Sequence, residues 1–414
     1  EAHPRTRVGG RQKAPALGAS NLSEGAGAFP WRAALAGFSA VLVANGLGRF
    51  AYSSLIPPLV EDHWFTAAQA DYLGSANLAG YLLGSVGASR LSLVFPMPPL
   101  LRASMAVAAA GFLCCVRPGP FGWFALWRFL TGVAGGILMI LPPPALLARV
   151  PEEARHRMRA VIFSGLGIGV ILSATAIPAL LKGGLAWAWA GLGLLCLALM
   201  AASWNDWPTA PPAENGKKVG GARFSRPLGV LMGIYCTGAA GLLPCTLFWV
   251  DFIARGLHLG LGPASFNWVL FGVGCFLGPW LAALLGRRAG FAAGIRWCLG
   301  GMGGADLLAA FFHQPLALWI ISLTVGACSM SNVSLVLGRA GELAGLAGQK
   351  QAWGWLTASF SLALAVAAYG LSYLFARTDS YGLVFAVGGA LPLLGVLADL
   401  MDLRLQVPSR TQGF

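Results

Sequence analysis

Charged residues are scarce in this sequence, and their scarcity decides its broad class. Only 10% of the 414 residues are Asp, Glu, Lys or Arg, whereas soluble domains carry about 25%. Hydrophobic residues make up 57%, and the mean hydropathy is +0.70. These values exclude an ordinary soluble domain and indicate a polytopic membrane protein. The net charge of +13 would suggest nucleic-acid binding in a soluble protein, but here the positive-inside rule explains it better.

The sequence also lacks the residue patterns of enzymes and metal sites. The five histidines lie in tails, loops or predicted span ends, and none pairs with a carboxylate at metal-ligand spacing. The eight cysteines fall in apolar runs, so we interpret them as small buried side chains. There is no nucleophile-base-acid arrangement and no phosphate-binding loop that ends in Lys-Ser or Lys-Thr. We therefore expect no metal, no cofactor, no nucleic-acid partner and no enzymatic or ATP-driven activity.

Long apolar runs are abundant, and they define the predicted fold. Crossing a bilayer as a helix takes ~20 predominantly apolar residues. Twelve runs meet this requirement: 31–60, 69–94, 98–116, 121–148, 158–181, 185–204, 227–255, 264–285, 290–312, 315–338, 350–376 and 380–403. We expect an all-α polytopic membrane protein with twelve transmembrane helices in two six-helix bundles.

Two polar segments interrupt the apolar runs and divide the chain. Residues 1–30 are basic and rich in Gly, Ala and Ser, which predicts a disordered cytoplasmic tail. Residues 205–226 contain three prolines and several charges, which is typical of a hydrophilic linker. We predict an N-terminal bundle over 31–204, a cytoplasmic linker over 205–226, a C-terminal bundle over 227–404 and a cytoplasmic tail over 405–414.

The positions of the basic residues support this count of spans. With the N-terminus inside, 22 of the 28 Lys and Arg residues fall in inside segments, 4 fall outside, and Arg49 and Arg128 lie within spans. A wrong number of spans would scramble this asymmetry. We expect a monomer in the lipid bilayer of the cell inner (plasma) membrane, crossing it many times, with both termini in the cytoplasm.

The first span contains the most unusual charge in the sequence. An arginine inside an apolar span costs ~2.5–3.5 kcal/mol on insertion scales. Helical spacing of i, i+4 and i+7 places Asn45, Arg49 and Tyr52 on one face. We expect this face to border a protein interior or a watery cavity. The stretch reads Asn45-Gly46-Leu47-Gly48-Arg49-Phe50-Ala51-Tyr52.

Three further polar residues in spans extend this candidate solute-binding site. Arg128 lies ~10 Å into the fourth span, at a depth similar to that of Arg49. The two arginines are interpreted as a cationic site for an anionic group or as structural residues bonded to carbonyls. Asn77 and Tyr81 share a face of the second span and either line the cavity or join helices. Small residues at Gly80 and Gly84 allow close helix contact on that span.

Two acidic residues are predicted to act in coupling or gating. Asp71 lies at the outer start of the second span, where it interacts with the helix dipole or serves as a counter-ion that gates through Arg49. Asp306 lies inside the ninth span. Burial favours its protonated form, which suits proton carriage, and a hydrogen bond to a neighbouring helix is the alternative.

The arrangement and two sets of motifs resemble a known group of carriers. Six spans, a long inside linker and six further spans resemble the major facilitator superfamily, and Trp127-Arg128-Phe129-Leu130-Thr131-Gly132 is similar to its arginine-glycine motif. Within it, the segments 46–52 and 71–84 resemble the YbfB/YjiJ-like transporters. The loop after the second span lacks the usual acidic residue of the superfamily. The resemblance implies a solute carrier and does not identify the solute.

Together these features predict a secondary active transporter that moves a small organic solute by alternating access. An anion is favoured because two arginines and few acids lie within the spans, and protons are the expected coupling ion. The alternatives are an antiporter that exports drugs or amphiphiles and a membrane enzyme or receptor without a transport cycle.

Overall fold

The computed structural model describes residues 29–207 and 223–406. Within these ranges the regular elements are helices, and none is a strand. By length and composition alone, eight of the helices are suited to cross a membrane. The all-α class and the multi-pass character are therefore confirmed. Most of the predicted N-terminal tail and linker, and the C-terminal tail from residue 407, lie outside the described residues.

Twelve helical segments follow one another in the described ranges. Gly345, with φ of 66°, separates α10 from α11 within one long run of helix, because only glycine adopts such a φ at no steric cost. A short helix, Ile56–Glu61, lies between α1 and α2. The helices are α1 (Trp31–Ser53), α2 (Ala67–Val94), α3 (Met97–Leu113), α4 (Phe121–Leu147), α5 (Glu152–Leu181), α6 (Leu185–Ser203), α7 (Arg226–Gly256), α8 (Leu261–Arg288), α9 (Phe291–Ala309), α10 (315–344), α11 (346–378) and α12 (Tyr381–Gln406).

Local sequence explains where several helices begin. At the start of α2, the Thr66 hydroxyl accepts a hydrogen bond from the Gln69 amide at 3.2 Å, and the Gln69 side chain accepts one from the Thr66 amide at 3.0 Å. This reciprocal capping box satisfies two amide groups that a helix start otherwise leaves unpaired. Helices α3, α7 and α10 begin with proline in the first two positions, where a missing amide hydrogen costs nothing.

The first helix of each set of six contains π-helical turns. In α1 they cover Leu42–Phe50, and in α7 they cover Pro244–Phe248 and Phe252–Gly256. A π-turn closes its hydrogen bonds over five residues instead of four, so the side chains that follow are rotated relative to an α-helix. These turns therefore redirect the side chains of α1, including the face predicted for Arg49.

Glycines bring α2 and α4 into backbone contact. A Cβ atom added at Gly80 would lie 2.0 Å from the Phe129 carbonyl oxygen, and one at Gly84 would lie 2.2 Å from the Val133 oxygen. The close contact predicted from the small residues of the second span is thus confirmed. Because two backbones approach this closely only where side chains are absent, the glycines fix the α2–α4 distance.

The same close approach recurs between α8 and α10, the equivalent helices of the second set of six. A Cβ atom added at Gly274 would lie 2.3 Å from the Leu323 oxygen, and one at Gly326 would lie 2.2 Å from the Phe271 oxygen. The repeat of a glycine-mediated pair at the same places supports a relationship between the two sets of helices. The exact boundaries of two separate bundles stay a prediction, since the helices from Trp31 onwards belong to one compact unit.

The two sets of helices contact each other through α5 with α8 and through α2 with α11. The linker side is defined here as the end of the bundle where α6 ends and α7 begins. Near this end, the Lys350 ammonium donates to the Ser92 hydroxyl at 2.8 Å. The Trp353 indole donates to the Met139 carbonyl at 3.1 Å. Helix α11 is thereby bonded to both α2 and α4.

Candidate functional site

Arg49 lies within the π-helical turns of α1 and is partly buried. Its guanidinium carbon is 5.6 Å from the centre of the adjacent Phe50 ring. Among the described residues it makes no hydrogen bond or ion pair. A desolvated charge without a partner is costly. Arg49 is therefore available for a ligand in a way that a bonded structural arginine is not.

Two of the predicted residues lie beside Arg49. The Tyr81 hydroxyl of α2 lies close to the Asn45 side chain and within electrostatic range of Arg49. Asn45 is only 6% exposed, and its Nδ2 atom makes no hydrogen bond of full geometry to Tyr81 or to another described residue. A buried donor left unpaired costs about 1–3 kcal/mol. This group of residues thus combines the cation of Arg49 with the unused donor of Asn45, and both lie beside the phenol of Tyr81.

Two aromatic residues of the second set of helices complete this arrangement. Tyr235 of α7 lies within electrostatic range of Tyr81. Its ring centre is 4.5 Å from that of Phe360 of α11, with an angle of 33° between the rings. We define Asn45, Arg49, Tyr81, Tyr235 and Phe360 as the central cluster. It draws residues from both sets of helices, so a solute held there would touch both.

The two aromatic residues of the central cluster were not predicted from the sequence. Tyr235 carried a signal that could have been used, since it is one of only seven tyrosines and lies within an apolar span. Phe360 carried none, because 23 phenylalanines are spread over the chain. Only the packing of α7 against α11 distinguishes it from the others.

The other three residues predicted for the solute site form a separate group. Arg128 is 3% exposed, donates from Nη1 to the Gly48 carbonyl at 2.9 Å, and places its guanidinium carbon 4.0 Å from the centre of the Tyr52 ring. The Asn77 amide donates to the Arg128 carbonyl at 3.0 Å, and the Tyr52 hydroxyl donates to the Ala70 carbonyl at 2.7 Å. These bonds join α1, α2 and α4.

The shared face predicted for Asn45, Arg49 and Tyr52 is divided in the structure. The spacing of i, i+4 and i+7 assumed a regular α-helix, whereas Leu42–Phe50 is π-helical. The wider turns rotate the residues that follow, and Tyr52 contacts Arg128 and Ala70. Arg128 likewise makes bonds to a carbonyl, which was the structural alternative considered for it. A role for Tyr52, Asn77 or Arg128 in solute binding stays a prediction.

Asp306 is the acid that the structure isolates. It is fully buried in α9, and one of its oxygens accepts a hydrogen bond from the Cys245 thiol at 3.4 Å. Its second oxygen has no partner among the described residues. The weak donor is supplied by the π-helical turn Pro244–Phe248 of α7. Asp306 thus has one weak donor and no basic partner among the described residues.

Five other acids among the described residues form an ion pair with an arginine. Asp251 forms an ion pair with Arg255, as their i, i+4 spacing predicted. The side chain of Asp71 lies outside what the structure describes, so its predicted pairing with Arg49 stays a prediction. The remaining ion pairs among the described residues are Arg32–Asp206, Arg226–Asp402, Arg296–Asp399 and Arg339–Glu342.

The chain thus has two sets of six helices, and Arg49 of the first set has no hydrogen bond or ion pair among the described residues. Comparison with known proteins identifies the group. Residues 41–400 match the family described as "Uncharacterised MFS-type transporter YbfB". The chain belongs to this family of MFS-type transporters, a part of the major facilitator superfamily, as its motifs predicted.

Solved structures of the superfamily share the fold. The proton:xylose symporter XylE bound to 6-bromo-6-deoxy-D-glucose has a TM-score of 0.68 at 15% sequence identity, over 89% of this chain and 94% of XylE. A bacterial homologue of the iron transporter ferroportin in an outward-facing state has a TM-score of 0.69 at 16% identity, over 89% of this chain and 98% of that chain. At these identities the similarity establishes the fold alone.

One curated relative is named for its solute. The 4-hydroxybenzoate transporter PcaK of Acinetobacter baylyi (strain ATCC 33305 / BD413 / ADP1) is 26% identical over 181 residues. The match spans 41% of this chain and 38% of the relative's length. The chain therefore matches well under half of that transporter.

Proposed function

We propose that this protein moves a small organic anion across the membrane by alternating access, with protons as the coupling ion. The observation that carries the proposal is Arg49, a partly buried cation without a hydrogen bond or ion pair to any described residue. An opposite charge placed 4 Å away would gain about 4 kcal/mol at an effective dielectric constant of 20. A neutral solute would leave that charge unbalanced.

One relative is named for an anionic solute. 4-Hydroxybenzoate, the solute in the name of PcaK, is a carboxylate anion and would pair with the same guanidinium. The central cluster itself contains no acidic residue. A cationic solute would meet the charge of Arg49 there with no carboxylate to offset it. This argues against the alternative of an antiporter for cationic amphiphiles.

Transport by purified protein in proteoliposomes tests the proposal. An inwardly directed proton gradient should drive accumulation of radiolabelled 4-hydroxybenzoate, and a protonophore should abolish it. Empty liposomes under the same gradient correct for diffusion of the protonated acid. If a panel of organic acids gave no uptake while a hydrophobic amine was transported, the anion proposal would be wrong and the amphiphile antiporter would be favoured.

Asp306 is the residue that we propose for proton coupling. Its complete burial and unpaired oxygen favour a carboxyl that holds a proton and releases it when its surroundings change. The Asp306→Asn variant has nearly the shape of the protonated acid but cannot lose a proton. It should keep exchange of labelled for unlabelled anion and lose accumulation driven by a proton gradient.

The comparison of exchange with accumulation separates coupling from structure. Equal loss of both in a folded Asp306→Asn variant would show that Asp306 serves the binding site or the transport cycle itself. Full retention of both would show that the buried carboxyl serves as a hydrogen-bonded structural group, the alternative considered from the sequence. Asp399→Asn, which alters an acid paired with Arg296, provides a control for removal of a negative charge.

A further inference from the structure

We propose that the central cluster selects an anion with a single carboxylate and a planar aromatic body. This inference rests on the proposed function, because it names the class of solute for the same site. Its two parts come from two observations: the number and kind of polar groups on α1 and α2, and the aromatic side chains that α7 and α11 place opposite them.

The polar groups fit one carboxylate. The cluster contains one cation, Arg49, and a second carboxylate on the solute would have no positive partner there. The unpaired Nδ2 of Asn45 supplies one more donor. A guanidinium binds a carboxylate through parallel N–H groups, and the Asn45 amide is a second donor to the same group. One carboxylate would therefore relieve both an unpaired charge and an unpaired buried donor.

The aromatic groups fit a planar ring. Tyr235 and Phe360 pack at 4.5 Å with an angle of 33°, and Trp353 lies 6.3 Å from Tyr235 with an angle of 33°. The three rings form one aromatic group on the second set of helices, in which Tyr235 and Trp353 are buried. Phe360 is partly exposed and so offers a face to a ligand. Rings that meet offset or tilted gain more than an aliphatic group of equal area.

Tyr81 connects the polar and the aromatic groups. It is within electrostatic range of both Arg49 and Tyr235. A small molecule that reaches from the guanidinium past Tyr81 to Phe360 has its charge at one end and its ring at the other. Benzoate and its ring-substituted relatives have this form, whereas short aliphatic acids lack the ring.

A series of four small molecules tests the inference by calorimetric titration of the purified protein in detergent. Benzoate carries both features, cyclohexanecarboxylate keeps the charge without the aromatic ring, benzamide keeps the ring without the charge, and terephthalate adds a second carboxylate. We expect benzoate to bind about 10-fold more tightly than cyclohexanecarboxylate, as one or two aromatic contacts allow. Benzamide should bind at least about 10-fold more weakly than benzoate, since it lacks the charge, and terephthalate should also bind more weakly.

Variants assign the preference to the cluster. Phe360→Leu should remove the difference between benzoate and cyclohexanecarboxylate while both still bind. Arg117→Gln, which changes an exposed arginine outside the cluster, should leave all four affinities unchanged. The affinities of the wild-type protein for the four compounds decide the inference even if Phe360→Leu does not fold.

The outcomes distinguish the inference from the proposed function. Equal binding of benzoate and cyclohexanecarboxylate to the wild type would overturn the aromatic preference and leave the anion carrier standing. Tighter binding of terephthalate than of benzoate would overturn the single-carboxylate part. Binding of benzamide at the level of benzoate, or binding of none of the four probes, would contradict the inference together with the proposed anion site.

Discussion

Replacing Arg49 with glutamine should abolish anion transport and leave the protein folded, whereas replacing Arg128 with glutamine should weaken the fold. Arg49 makes no bond to any described residue, so its removal costs no internal contact. Loss of a charged hydrogen bond to the solute costs ~1.5–3 kcal/mol, or roughly 10- to 150-fold in affinity. Arg128 instead donates to the Gly48 carbonyl and covers the Tyr52 ring, so its replacement removes a buried hydrogen bond and a cation–π contact.

The measurement pairs transport with thermal stability for both variants. Arg49→Gln should elute as a single species and melt near the wild-type temperature, with anion uptake at the level of empty liposomes. Arg49→Lys should recover part of the uptake, because a lysine keeps the charge but lacks the two-pronged geometry. Arg128→Gln should melt at a clearly lower temperature. Wild-type uptake by Arg49→Gln would show that Arg49 does not bind the solute.

A gate formed by Arg49 and Asp71 predicts a different pattern. In that case the single variants Arg49→Asp and Asp71→Arg should both lose transport, and the double variant with exchanged charges should recover it. A solute-binding Arg49 cannot be rescued in this way, since the exchanged pair places the cation on α2. The exchange therefore decides between the two interpretations of Arg49 that the sequence left open.

Gly84→Ala should strongly destabilise the protein, while Gly87→Ala, three residues further along the same helix, should be neutral or slightly stabilising. The Cβ added at Gly84 meets the Val133 carbonyl oxygen at 2.2 Å, whereas the one added at Gly87 meets nothing within 4 Å. Backbone atoms cannot move aside as a flexible side chain can. Overpacking of this kind costs typically 1–3 kcal/mol and occasionally more, and we expect Gly84→Ala to lie at the upper end.

Melting temperature and the yield of monodisperse protein in detergent measure the two effects. Gly87→Ala should gain a few tenths of a kcal/mol, because alanine restricts the unfolded chain more than glycine does. Gly326→Ala tests the equivalent contact, where the added Cβ lies 2.2 Å from the Phe271 oxygen. A loss similar to that of Gly84→Ala would support the repeat of the glycine-mediated pair. Equal stability of Gly84→Ala and Gly87→Ala would contradict the close contact of α2 and α4.

Much of the architecture was predictable because a membrane imposes simple rules on a sequence. Span length, the side on which basic residues collect, and the proline and capping signals at helix starts are all local properties. The helices begin close to the predicted limits of the spans for this reason, and the small residues at Gly80 and Gly84 gave a correct prediction of close contact. The orientation in the membrane and the monomeric state stay predictions.

The candidate site was predictable only in part. The cost of a charge in an apolar span identified Arg49 and Arg128 as unusual, and it could not tell which of them is bonded within the protein. That difference depends on Gly48, whose carbonyl accepts a hydrogen bond from the Arg128 guanidinium. The side chains of Tyr52 and Arg49 lie apart because part of the α1 backbone is π-helical. A spacing rule based on 3.6 residues per turn does not apply to such turns.

The sequence by itself determined the class of this protein, because apolar runs of bilayer length require helices that satisfy their own backbone hydrogen bonds. The charges between the runs predict its orientation. Only the tertiary structure decided which polar residues form hydrogen bonds within the protein and which remain available to a solute. Arg128, Tyr52 and Asn77 are bonded across helices, whereas Arg49 keeps an unbalanced charge beside Asn45 and Tyr81. Tyr235 and Phe360 belong to the cluster because helices that are distant in sequence pack together. The sequence of neither segment alone predicts that contact.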